Sequence, residues 1–133
     1  MKPINTPTIS LPDAVARVTR FRKQLIDQVP ETNIPRAILI PIDDLMAIVE
    51  KYSFVDAAGN VRNSLQGVRA YFAVKLTDTA MPDDVTALIV PVDLKGNDII
   101  SSSGNLTEGP TDIYDFTKPC PDQCDPASPL YIG

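Results

Sequence analysis

Between Ser10 and Pro30 the apolar residues fall at helical spacing. Val15, Val18, Phe21, Leu25 and Val29 recur every three or four positions, while Arg17, Arg20, Lys23, Gln24 and Asp27 mostly take the other faces. Ser10 is a good N-cap, Pro12 suits the first turn, and Asp13 lies where a helix N-terminus favours a carboxylate. The spacing predicts a helix over 12–28, with Arg22 outward and Pro30 as its stop. Ala37-Ile38-Leu39-Ile40 reads as a short strand that Pro41 confines to an edge or an end. Asp43 and Asp44 then occupy the first turn of a second helix, over 42–52, whose stripe is Ile42, Leu45, Ile48 or Val49, and Tyr52.

The period changes to two after Gly67. Val68, Ala70, Phe72, Val74 and Leu76 alternate with Arg69, Tyr71, Ala73 and Lys75, the pattern of a half-buried strand with Phe72 in the core. Thr86 to Val92 is more uniformly apolar, which predicts a more buried strand. The intervening loop of about nine residues is short for a helical crossover, so the two strands should pair antiparallel. Lys95-Gly96-Asn97 is turn chemistry, after which Asp98 to Ser101 reads as a third antiparallel strand. Residues 53–66 carry no clear period, apart from a turn signal at Ala58-Gly59-Asn60.

These elements predict an α+β fold: two helices packed on one face of a small, mostly antiparallel sheet, with a long irregular C-terminal tail. A single domain over 1–133 is expected, with helices and sheet in 10–101 and a tail over 102–133 docked through Ile113, Tyr114, Phe116, Leu130 and Tyr131.

Charge narrows the partners. The net charge is -5, which argues against nucleic acid, because phosphate neutralisation needs clustered Lys and Arg. Residues 1–75 carry 10 basic and 7 acidic side chains, whereas residues 76–133 carry 2 and 10. The start of the chain lacks the apolar run of a signal peptide, and the stretch 37–42 is too short to span a bilayer, so a soluble cytoplasmic protein without membrane contact is expected.

Candidate chemistry is sparse. The chain has no histidine, hence no Ser/His/Asp or Cys/His arrangement, and it shows no phosphate-cradling glycine motif. Cys120 and Cys124 suit a disulfide or a redox pair. Four zinc ligands are not at hand, so no metal and no cofactor is expected. Asp43 and Asp44 diverge by about 100° on a helix and do not form a catalytic carboxylate pair. Asp93 to Asp98 has a faint look of a calcium loop, but a hairpin turn fits better. Arg69, Tyr71 and Lys75 line one strand face, where they either receive an anion or a partner, or shield an exposed sheet.

Ile42-Asp43-Asp44-Leu45, Gly67-Val68-Arg69-Ala70-Tyr71-Phe72 and Leu88-Ile89-Val90-Pro91-Val92-Asp93 with Gly96-Asn97-Asp98 resemble a group of small, functionally uncharacterised bacterial proteins. That group often closes with a cysteine pair comparable to Cys120 and Cys124. The resemblance implies a shared fold and no activity. The residues themselves favour a non-enzymatic binding or interaction protein, with an unknown protein or small molecule as its partner. The alternative is a small thiol-dependent or redox enzyme using Cys120 and Cys124. Neither reading fixes the oligomeric state.

Overall fold

The computed structural model describes residues 6–28, 34–74, 85–100, 111–120 and 124–132. Helix α1 spans Leu11–Leu25, opened by Ser10, whose Oγ accepts the Asp13 N–H at 3.2 Å. The Arg22 expectation is corrected: its side chain is buried at 6 % exposure, and Phe21 is exposed. Val15, Val18, Arg22 and Leu25 are spaced three, four and three apart, so Arg22 sits on the seam of the stripe and Phe21 about 100° off it. The arginine's aliphatic stem can line that seam as a leucine would.

Strand β1 (Ala37–Leu39) leads through Pro41 into α2 (Ile42–Lys51), whose first turn carries Asp43 and Asp44. The stretch without a readable period, 53–66, is a hairpin of β2 (Ser53–Val55) and β3 (Val61–Asn63), followed by the start of β4 (Leu65–Val74). Strand β5 is Val85–Asp93, and β6, Lys118–Cys120, pairs antiparallel with β1. The fold is thus α+β, with two helices and three two-stranded antiparallel ladders, β1-β6, β2-β3 and β4-β5. No helix is long and apolar enough to cross a membrane among the described residues.

The β4-β5 hairpin runs from Leu65 opposite Asp93 to Val74 opposite Val85, with a bulge between Leu65 and Gly67. After it the chain turns at Gly96 (φ 88°). The expected third strand is reduced to one bridge, Asp98 to Val92, and the Ile99 N–H donating to Pro91 O at 2.9 Å. Ser101 lies outside the described residues, as do Lys75 and Leu76 at the end of the expected strand.

Strand β5 is the centre of the core. Thr86, Ala87, Ile89, Val90 and Val92 are all buried, on both faces of the strand. Its outer edge is covered by residues late in the chain: Tyr114 exchanges two backbone bonds of 2.9 Å with Ile89, and Thr117 Oγ1 bonds both the N–H and the C=O of Ala87. Among the described residues strand β4 has no such neighbour. Val68, Phe72 and Val74 remain exposed, Phe72 at 78 %. The expectation that these residues form the core is therefore wrong. Alternation reports that a strand has two unlike faces, but burial needs a second layer over the apolar one. Among the described residues no such layer covers the exposed part of β4.

Candidate functional site

An apolar depression lies where α1, β1 and the Val74–Val85 end of the β4-β5 hairpin converge. Phe21 comes from α1, Pro35 to Ile38 from the segment entering β1, Phe72 from β4, and Val85 and Thr86 from β5. The cavity measures about 410 Å³, within the size of small-molecule sites. Phe21 is there because the helical stripe leaves it off the seam, and Phe72 because β4 overhangs the core. Among the described residues Arg36 is the one charged side chain in the wall. Its guanidinium lies 3.9 Å from the centre of the Tyr131 ring and donates to Ile132 O, which ties the C-terminal turn to this wall.

A second cleft, about 300 Å³, is lined by Asp44, Ile48 and Lys51 of α2 with Tyr114 and Phe116. Asp44 and Lys51 are seven residues apart, hence on one helix face, whereas Asp43 points elsewhere on the turn. Beside this cleft the Lys51 Nζ lies 2.6 Å from Asp112 Oδ1 and 3.3 Å from Tyr114 Oη, which itself donates to Asp112 Oδ1 at 3.0 Å. Asp112 is almost wholly buried, at 1 % exposure. Burial alone would raise its pKa, but the bonds from Lys51 and Tyr114 outweigh burial and hold the carboxyl below its ordinary range. The same bond to Asp112, then that to Tyr114, raises the Lys51 pKa far above its usual value. Burial and the neighbouring Asp112 charge push the Tyr52 phenol upward as well. A lysine held this firmly as an ammonium is neither a nucleophile nor a base at neutral pH. The cluster's chemistry is structural: it fixes residues 112–114 to α2.

The residues singled out from sequence fall in three places. Cys120 and Cys124 are joined in a disulfide, with Cys120 buried at the end of β6. They border a third cleft of about 260 Å³ with Val18, Arg36, Asp125 and Tyr131. Arg69 and Tyr71 share one face of β4, but both bond Asp98: Arg69 through Nη1 to Oδ1 and Tyr71 through Oη to Oδ2. An internal carboxylate thus occupies the place where an external anion would sit. Lys75, the third member of that face, lies outside the described residues. Asp93, the first residue of the calcium-like loop, spends Oδ1 on the N–H groups of Lys95 and Asn97, each at 2.9 Å. Among the described residues no group of three or more acidic or cysteine side chains could hold a metal ion.

The groove residues Phe21, Pro35, Ile38 and Val85 escaped sequence reasoning, because an apolar residue at element spacing reads as core whether or not a second layer covers it. No family model, curated protein or solved structure matches the chain.

Proposed function

We propose that this protein is a non-enzymatic binding module that takes an apolar group, from a partner protein or a small molecule, into the groove between Phe21 and Phe72. The observation that supports it is the groove itself: about 410 Å³ with two exposed phenyl rings and, among the described residues, a single charged one in its wall. Arg36, the charged group in that wall, is already engaged with Tyr131 and Ile132. Titration with an apolar fluorescent dye such as anilinonaphthalene sulfonate should reveal one saturable site. Phe21→Asp should abolish it while leaving the circular dichroism spectrum unchanged. Dye binding that survives in a folded Phe21→Asp protein would overturn the reading.

The Cys120–Cys124 disulfide beside the third cleft favours a second reading, a thiol–disulfide exchange protein. Equilibration with glutathione buffers decides it: a potential near those of known exchange catalysts supports exchange, and a far lower one leaves the bond a structural staple. The disulfide also weighs against a cytoplasmic placement, because reducing compartments keep such pairs open.

A further inference from the structure

We propose that the free edge of β4 is a strand-pairing site whose occupant is a second copy of this chain, joined antiparallel about a two-fold axis through Tyr71. The inference goes beyond the groove reading and does not depend on it, because it rests on backbone groups. Strand β5 directs the backbone of Ala87, Ile89 and Pro91 away from β4, toward Thr117, Tyr114 and Ile99. Their partners across the ladder are Phe72, Ala70 and Val68. In an antiparallel ladder such pairs are the non-hydrogen-bonded ones, so the N–H and C=O groups of Val68, Ala70, Phe72 and, by the same alternation, Val74 point to the open edge. Among the described residues nothing pairs with them.

Beyond the bulge between Leu65 and Gly67, this edge lacks the usual protections among the described residues. Residues 65–74 contain no proline and no lysine, and the one arginine, Arg69, is neutralised by Asp98. Several of its side chains are exposed and apolar. The strand is also self-complementary. With Tyr71 opposite its own copy, Val68 faces Val74 of the second chain and Ala70 faces Phe72. All four outward residues then exchange backbone bonds, and a small side chain meets a large one. Arg69 falls opposite Ala73, so no like charges meet. The product is one continuous sheet of four strands, with β5 of each copy on the outside.

Sedimentation equilibrium of the full chain should show the mass rising with concentration from 14.5 kDa toward twice that value. Added salt should tighten the association, because each copy carries a net charge of -5. Amide exchange gives a residue-level reading: Arg69, Tyr71 and Ala73 should be protected at every concentration, and Val68, Ala70, Phe72 and Val74 only as the dimer forms. Ala70→Pro removes an N–H that β5 does not use, so it should leave a folded monomer at all concentrations. Should that proline unfold the chain, Ala70→Lys, which sets a charge against Phe72 of the second copy, should give the folded monomer instead. A protein that stays monomeric with those four amides always exchanging, or a folded Ala70→Lys protein that still dimerises, overturns the proposal. So does an edge that accepts an unrelated extended peptide while copies of the chain stay apart.

Discussion

Lys51 and Asp112 stand 61 positions apart in sequence and 2.6 Å apart in space, one side chain half-exposed and the other almost fully buried. The pair joins α2 to the segment that runs along β5, since two residues beyond Asp112 the backbone of Tyr114 bonds Ile89. The asymmetry of burial decides what each partner is worth. Water can take over the ammonium if the carboxylate is lost, but it cannot reach the carboxylate if the ammonium is lost.

Lys51→Met should therefore destabilise the protein by about 1–3 kcal/mol, below the range for a fully buried pair because Lys51 is half in solvent. Adding Asp112→Asn to that variant should recover part of the loss, since the uncompensated charge disappears. Urea midpoints of the two single variants and the double variant measure the coupling. Additive costs would show that the pair does not interact.

The same contact should shape the acid limb of stability. The Asp112 carboxyl is lowered in the folded state, so its contribution is complete above the unfolded value and is lost as pH falls through the folded one. Lys51 is raised, so its side of the pair is complete below its ordinary value and is lost only as pH climbs through the higher folded one. Melting temperature followed from about pH 6 to pH 2 should fall less steeply in Asp112→Asn than in wild type. Parallel curves would place the acid sensitivity elsewhere.

Glycine substitutions should separate backbone strain from crowding. Gly59 (φ 83°) and Gly96 (φ 88°) adopt the left-handed region, and a Cβ would meet nothing within 4 Å at Gly59 and only Gln66 Oε1 at 3.8 Å at Gly96. Alanine at either position should cost about 1–2 kcal/mol from the backbone alone. Gly67 has open space and no positive φ, so Gly67→Ala should stay within about 0.5 kcal/mol of wild type. Thermal unfolding of the three variants checks the order, and a costly Gly67→Ala would contradict it.

Those two glycines also mark where the chain was more legible than its periodicity suggested. Asp56-Ala57-Ala58-Gly59-Asn60 and Asp93-Leu94-Lys95-Gly96-Asn97 share the pattern Asp-x-x-Gly-Asn and make the same turn. In each, the Asp Oδ1 accepts two backbone N–H bonds of 2.9 Å, and the Asp N–H donates to the Asn carbonyl at 2.9 Å. Read together, the pair announces the β2-β3 hairpin, which the hydrophobic pattern hides because both of its strands are exposed and Val55, Val61 and Phe54 have no polar alternation to betray them.

What the sequence determined by itself is local: the two helices with the Ser10 cap of α1, the pairing of β4 with β5, and the turn at Gly96. Each depends on residues close along the chain, whose backbone preferences and spacing carry the information. Tertiary structure alone decided which apolar faces are covered. Val90 and Phe72 both sit at apolar strand positions, yet Val90 is buried in the strand that Tyr114 and Thr117 return to flank, and Phe72 is exposed because, among the described residues, nothing returns over β4. The groove and the open edge both follow from that difference. A residue's spacing says which way it points, and only the distant part of the chain decides what it meets there.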